Sequence, residues 1–127
     1  MIRFMVLFFY CTTFQLFAQD IDERCGLPAS LCELQLELES SDAELNRVYK
    51  AIMSSINTGE LPDAALVDAN ELKQSLIISQ RSWLEFKKKN CDAFYVLQSG
   101  GMQRNEARLE CEIEMTNARI KYLTKWY

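Results

Sequence analysis

Three glutamates near the C-terminus, Glu106, Glu110 and Glu114, recur at intervals of four residues. On a helix this spacing places the carboxylates along one flank, where like charges repel each other by about a few tenths of a kcal/mol. Acid/base catalysis needs two carboxyl groups whose pKa values are driven apart by different environments, and an exposed helix face supplies no such difference. Two interpretations remain: a solvated helix face, or an acidic ridge that binds a cationic protein.

The composition excludes most other catalytic chemistry. The chain contains no histidine, which removes the commonest general base, the usual zinc ligand and every histidine-dependent catalytic triad. It also lacks a glycine-rich phosphate loop and any nucleotide-binding fingerprint. We therefore expect a protein that is not an enzyme, with no catalytic residues, no metal ligands and no cofactor.

The first eighteen residues, MIRFMVLFFYCTTFQLFA, have the layout of a secretory signal peptide. An early cation, Arg3, precedes a short apolar run, and the small residue Ala18 precedes a polar segment. The run is too short and too often interrupted to favour a membrane-spanning helix, which needs about 20 apolar residues. We expect residues 1–18 to be a cleaved signal peptide, with an uncleaved anchor as the alternative, and residues 19–127 to form a single periplasmic or secreted domain.

The charge of that domain limits its partners. Removing residues 1–18 takes away Arg3 and no acid, so 13 of the 14 basic residues remain against 18 acidic ones, a net charge of −5. Binding to phosphates needs a concentrated cationic face, so an acidic domain is a poor binder of nucleic acid. We expect no nucleic-acid partner and no membrane association after cleavage, and the acidic balance suits a cationic protein partner.

Four cysteines remain once Cys11 leaves with the signal peptide: Cys25, Cys32, Cys91 and Cys111. An even number in a small exported domain predicts two disulfides, for which three pairings exist. We favour Cys25 with Cys32 and Cys91 with Cys111, because each pair closes a local segment. A four-cysteine zinc site is the alternative, although neither pair has the close spacing usual for structural zinc.

Hydrophobic periodicity predicts three helices, over residues 30–57, from Pro62 or Asp63 to Leu97, and over residues 104–125. Ser30 is the expected N-cap of the first helix, with Glu33 completing a capping box, and Gly59 its expected stop. Gly100 and Gly101 favour a left-handed cap and turn after the second helix. No segment shows the alternation of apolar and polar residues that is typical of a β-strand. We predict that residues 19–29 form an extended segment before the first helix, held in place by a disulfide at Cys25. Short connections between long helices predict an all-α, antiparallel up-down-up three-helix bundle stapled by two disulfides.

The stretch SQRSWLEFKKKNC lies on the second helix. We expect Trp83, Phe86 and Phe94 on its inward face, because a tryptophan at helical spacing from other apolar residues usually belongs to a core. The lysines at positions 87–89 spread over about 200° of the helix circumference, so they form no single basic patch. We interpret the lysine run as mostly solvated surface.

The chain resembles the LprI-type lysozyme-inhibitor family, small exported bacterial proteins otherwise known as a domain of unknown function. The resemblance rests on the segments DAELNRVY and SQRSWLEFKKKNC and on a double glycine followed by several helical positions. The matching residues are Asp42, Leu45, Asn46, Tyr49, Gln80, Arg81, Trp83, Cys91, Gly100, Gly101, Cys111, Thr116, Arg119 and Leu123. They span most of the domain, and their order and spacing match the family pattern. The chain departs from the family pattern at Lys87, where arginine is usual, and at Met102, where a small polar residue is usual.

The resemblance implies an exported protein that inhibits a lysozyme, and no inhibitory residues carry over position by position. We read the recurrent polar residues as structural: Asn46, Gln80 and Arg81 would form a network between the first two helices, joined by Arg119 from the third. Tyr49 and Trp83 would pack beside that network. Our leading hypothesis is a binding protein that inhibits a cell-wall hydrolase, most simply a cationic lysozyme, by occluding it. The alternative is a periplasmic immunity or envelope assembly protein with a different partner.

Overall fold

Three long helices make up most of the protein. The computed structural model describes residues 20–61, 67–101 and 103–126, so the predicted signal peptide over residues 1–18 lies outside the described residues. The helices are α1 (Ala29–Thr58), α2 (Ala69–Leu97) and α3 (Arg104–Leu123), and a short 3₁₀ turn (Thr124–Trp126) follows α3. Helix α3 packs against both α1 and α2. The prediction of an all-α three-helix bundle is confirmed.

The lead-in to α1 is a small hairpin rather than a simple extended segment. Strand β1 (Ile21–Asp22) pairs antiparallel with β2 (Leu27–Pro28), and Gly26 in the turn between them has a φ of 66°. Glycine adopts that left-handed conformation without steric cost. Hydrogen bonds from the side chain and backbone of Arg24 lower the pKa of Asp22 to about 2. Strands of two residues are too short to show any alternation, which is why the sequence did not predict them.

Helix α1 begins one residue earlier than predicted, and Ser30 is not its N-cap. The cap position is Pro28, which makes no side-chain hydrogen bond to the first turn. Because Pro28 is paired in the hairpin and its ring fixes φ at −51°, the chain passes directly from strand to helix. At the other end the predicted stop is confirmed: Gly59 has a φ of 71°, and its N–H donates to the Ile56 carbonyl.

Helix α2 begins at Ala69, later than the predicted start at Pro62 or Asp63. Residues 62–66, which include Ala65, a member of the apolar stripe from which the second helix was predicted, lie outside the described residues. The Asp68 carboxylate accepts hydrogen bonds from the backbone N–H groups of Asn70 (2.8 Å) and Glu71 (2.9 Å). Aspartate in this role satisfies N–H groups that the first turn leaves without partners. The proline therefore misled the prediction, and Asp68 is the true N-cap.

The turn between α2 and α3 does not use the left-handed glycines that the sequence suggested. Helix α2 ends at Leu97, and neither Gly100 nor Gly101 has a positive φ. Instead the Gly101 N–H donates to the Gln98 carbonyl at 2.9 Å. A β-carbon on Gly101 would lie 3.5 Å from that same carbonyl oxygen, an ordinary contact. The double glycine marks the break, but its backbone is one that other residues can adopt.

The apolar core gathers at one end of the bundle. It combines the second half of α1 with the first half of α2 and the end of α3, and its buried members are Leu45, Val48, Ile52, Ile56, Leu61, Leu76 and Leu123. Six of these seven lie on the apolar stripes whose helical spacing predicted the three helices: Leu45, Val48, Ile52 and Ile56 on the α1 stripe, Leu76 on α2 and Leu123 on α3. Tyr49, Trp83 and Trp126 pack against this cluster while remaining partly exposed.

The buried face of α2 differs from the predicted one. Phe86 is 59% exposed and Phe94 is 39% exposed, although both were expected to face inward. The buried residues are Leu76, Gln80, Lys87 and Cys91. At the pitch of an α-helix, their mean direction lies about 60° around the axis from that of the predicted stripe. The prediction was therefore wrong for Phe86 and Phe94, whereas Trp83 packs against the core cluster as expected.

Both predicted disulfides are confirmed. Sulfur atoms of Cys25 and Cys32 lie 2.07 Å apart, and those of Cys91 and Cys111 lie 2.05 Å apart. The first bridge ties the hairpin to the first turn of α1, and the second clamps α2 to α3 across their turn. Because all four sulfurs are bonded, the alternative of a four-cysteine zinc site is excluded.

Candidate functional site

An acidic groove lies where the first turns of α1 and α3 meet the end of α2. Its volume is about 580 Å³, and four glutamates line it: Glu33, Glu37, Glu106 and Glu110. The partly exposed ring of Phe94 also lines it. The Ser30 hydroxyl donates to the Glu106 carboxylate at 3.4 Å, so this serine joins the two helices instead of capping α1.

The groove continues along α3 into a smaller hollow of about 310 Å³. Phe94 and Glu110 line both spaces, and Glu114 lines the second. The three predicted glutamates, Glu106, Glu110 and Glu114, therefore follow one continuous surface. We call it the acidic groove and define it by these three residues together with Glu33, Glu37 and Phe94.

Among the described residues, no lysine or arginine forms an ion pair with any carboxylate of the acidic groove. The nearby cation Arg108 is engaged elsewhere, with Asp92 at 3.3 Å and Glu112 at 3.1 Å. Five like charges around one concave surface create a negative potential that attracts cations. Sequence reasoning missed Glu33 and Glu37, because only the packing of α1 against α3 brings them beside the α3 row.

A buried lysine occupies the middle of the bundle. Lys87 is 7% exposed, and its ammonium donates to the Asp42 carboxylate and to the Thr116 hydroxyl, each at 3.1 Å. Its Nζ also lies 5.4 Å from the centre of the Trp83 ring. The expectation that the lysine run is solvated holds for Lys88 and Lys89 and is wrong for Lys87. A buried ammonium is tolerated only with such partners, and these come from three helices.

Arg119 joins α3 to α2 beside this lysine. Its Nε donates to the Gln80 side-chain carbonyl at 3.1 Å, and its terminal nitrogen donates to the Ser79 hydroxyl at 3.0 Å. The guanidinium also lies 5.7 Å from the centre of the Trp83 ring. Partial burial lowers the pKa of Arg119, with the neighbouring Tyr122 acting in the opposite direction. The Gln80 to Arg119 part of the expected polar network is present.

A second groove runs between α1 and α2, and we call it the α1–α2 groove. Its volume is about 520 Å³. It is lined by Asp42, Leu45, Asn46, Tyr49, Ile77, Gln80, Arg81 and Leu84. Six of these eight residues belong to the sequence pattern on which the family resemblance rests. Asn46 and Arg81, expected in an interhelical network, are instead exposed at this groove, and their side chains make no hydrogen bond to any described residue.

The described helices contain no apolar stretch long enough to cross a membrane. In the same part of the chain, histidine, cysteine and acidic side chains form no group of three or more that could hold a metal ion.

Comparison with known proteins identifies a family. The model of the family described as "Lysozyme inhibitor LprI" matches residues 32–123, which include both grooves and the whole of α2 and α3. No curated protein and no solved structure matches the chain.

Proposed function

Because the chain belongs to the LprI family of lysozyme inhibitors, we propose that it is an exported, non-catalytic protein that binds a basic cell-wall hydrolase. The simplest partner is a lysozyme, whose substrate cleft the bound protein would cover. The family is one of inhibitors, so membership favours binding to a protein over turnover of a substrate. The two disulfides support export, since such bonds persist in oxidising compartments.

The acidic groove is the observation that carries this proposal. Its carboxylates lack intramolecular ion pairs in the described residues, so a cationic partner would neutralise them and relieve their mutual repulsion. Complementary charge of this kind mainly speeds association and sets specificity. Phe94 adds an apolar ring at the centre of the acidic groove, and interfaces concentrate binding energy on such central aromatic anchors. The ring face can also attract a lysine or arginine side chain.

The first experiment measures inhibition directly. Purified protein comprising residues 19–127, with both disulfides formed, is added to lysis assays with several lysozymes, and binding is followed by surface plasmon resonance. We expect slower lysis and an association rate that falls as salt concentration rises. Unchanged lysis at micromolar excess over every lysozyme tested would contradict the proposal.

A pair of charge variants then locates the binding surface. Glu106→Gln with Glu110→Gln removes two charges from the acidic groove, and we expect about a tenfold slower association at low salt. Glu60→Gln with Glu71→Gln removes the same charge near the junction of α1 and α2. Glu71 lies about 35 Å along α2 from Phe94, so this control should leave association nearly unchanged. Equal effects of the two pairs would show that net charge, and not the acidic groove, governs binding.

A further inference from the structure

Helix α2 carries a second apolar row on its outer side. Phe86, Asn90, Ala93 and Leu97 are all exposed, Phe86 at 59% and Leu97 at 73%. Their spacing of four, three and four residues is the spacing along which two helices pack in a coiled coil. At the pitch of an α-helix the four positions lie within an arc of about 60° and extend over about 16 Å. We call these four residues the α2 seam.

The described helices leave the α2 seam uncovered. The buried side of α2 consists of Leu76, Gln80, Lys87 and Cys91. Its mean direction lies about 100° around the helix axis from that of the seam. Of the ten large apolar residues that are exposed in the described part of the chain, six lie on α2. Single exposed apolar residues are ordinary, whereas a concentration of them on one element indicates a surface that binds another molecule.

Carboxylates border the α2 seam on the side of α3. Asn90 lines the hollow of about 310 Å³ together with Glu110 and Glu114. Neither glutamate forms an ion pair within the described residues. On the opposite side of the seam, Glu85 and Lys89 pair at 2.7 Å, so that flank is close to neutral. A molecule that lies along the seam therefore meets apolar side chains beneath it and negative charge along one edge.

Charge and the available apolar surface decide what fits there. Residues 19–127 hold 13 basic and 18 acidic residues, a net charge of −5, so a second copy of the chain or an anionic membrane would bring like charge to the seam. A folded cationic protein has the right charge, but its surface helices already bury their apolar faces in its own core. A free peptide that forms a cationic amphipathic helix offers an apolar face and basic side chains together.

We propose that the α2 seam binds a free cationic amphipathic peptide of the membrane-active type in helical form, and thereby removes it from solution. Apolar side chains of the peptide would pack against Phe86 and Leu97, and its basic side chains would reach Glu110 and Glu114. A helix of about eleven residues matches the length of the seam. Proteins bind amphipathic helices through apolar anchors at the same i, i+3, i+4 and i+7 spacing. This function goes beyond inhibition of a hydrolase and does not depend on it.

The test uses three synthetic peptides of 14 residues. The first contains leucine and lysine, with the leucines at coiled-coil spacing. The second has the same composition in scrambled order, and the third replaces every lysine by glutamate. Binding to oxidised protein comprising residues 19–127 is measured by isothermal titration calorimetry. We expect a micromolar Kd for the first peptide, at least about tenfold weaker binding of the scrambled one, which cannot form a single apolar face, and no binding of the third.

Equal binding of the scrambled peptide would show that charge alone drives association, and the proposal would then be wrong. Binding of the glutamate peptide, or no binding of the first peptide at about 100 µM, would also overturn it.

A pair of matched variants locates the binding surface. Phe86→Ser with Leu97→Ser should weaken binding of the first peptide by about tenfold or more. Ile78→Ser with Val96→Ser changes two α2 residues of similar exposure, 62% and 66%, that lie about 90° around the helix from the seam and away from α3. This control should change Kd by less than about twofold. All four positions are exposed, so both variants should fold, and circular dichroism verifies this. Equal effects of the two pairs would contradict the proposal.

Three measurements on the Phe86→Ser, Leu97→Ser variant test the other occupants. Loss of dimerisation in sedimentation would assign the α2 seam to a second copy, and loss of binding to phosphatidylglycerol vesicles would assign it to a membrane. Loss of lysozyme inhibition would assign it to a folded hydrolase. Each of these results would overturn the proposal. Phe86 and Leu97 line neither hollow of the acidic groove, so we expect this variant to inhibit lysis as the unaltered protein does. Failure of the unaltered protein to inhibit lysis would affect only the proposed function.

Discussion

The two ends of the bundle are held together by different means. At the end formed by the second half of α1, Ile52, Leu76 and Leu123 belong to one apolar cluster. At the other end the disulfides connect the hairpin to α1 and α2 to α3, and that cluster does not extend there. Covalent links let the second end keep a concave, highly charged surface, because less of its stability depends on burying apolar area. The apolar core and the proposed binding surface thus lie at opposite ends of the bundle.

Truncating the core should have the largest effect. Ile52 is fully buried, so Ile52→Ala should lower the free energy of unfolding by about 3–4 kcal/mol. Ile113, which is 6% exposed and outside the main cluster, provides the comparison. We expect Ile113→Ala to cost less, about 2 kcal/mol, because the surroundings can collapse more easily. Urea unfolding of the oxidised proteins measures both, and an equal or larger loss at Ile113 would contradict the assignment of the core to one end.

Removing a disulfide should cause the next largest loss in the free energy of unfolding. The Cys91–Cys111 bridge spans 20 residues and the Cys25–Cys32 bridge spans 7. On the chain-entropy account, replacing both cysteines of a bridge by alanine should cost about 3.3 kcal/mol for the first and about 2.4 kcal/mol for the second. Chemical denaturation of the two double variants tests this order. A larger loss at the shorter bridge would mean that the hairpin contributes more than its loop length implies.

Much of the bundle could be predicted from sequence, because its signals are local. The α1 stripe reports burial directly, since the buried face of that helix is apolar at every position except Ser41. Gly59 stops α1 because a left-handed residue there ends the helical hydrogen bonding. The start of α2 was harder, because Pro62 and Asp68 are both plausible signals and only the hydrogen bonds to Asp68 distinguish them.

The smallest expected effects come from two adjacent residues of the lysine run, Lys87 and Lys88, which differ in burial. Lys87→Met removes a buried ammonium and leaves Asp42 without its cation, and we expect a loss of about 1–2 kcal/mol. The loss stays below that of a fully buried pair, since the Asp42 side chain is 45% exposed and water can solvate it. Lys88→Met breaks only an exposed pair with Asp92 and should change the free energy of unfolding by less than about 0.5 kcal/mol.

Thermal and urea unfolding of these two variants measure the difference between adjacent lysines. The interpretation requires Lys87→Met to be clearly the more destabilised of the two. Indistinguishable stabilities would instead place Lys87, like Lys88, among residues whose charge is solvated.

The sequence by itself determined the number of helices and the acidic balance, because periodicity and charge are properties of the chain alone. It favoured the two disulfide pairs among three possible pairings, and the structure decided between them. Only the tertiary structure decided which face of α2 is buried. That helix carries apolar residues on its outer side as well, including Phe86, so its own periodicity does not select one face. The neighbours select it: Asp42 on α1 and Thr116 on α3 satisfy the ammonium of Lys87, and no pattern within α2 could indicate partners on other helices.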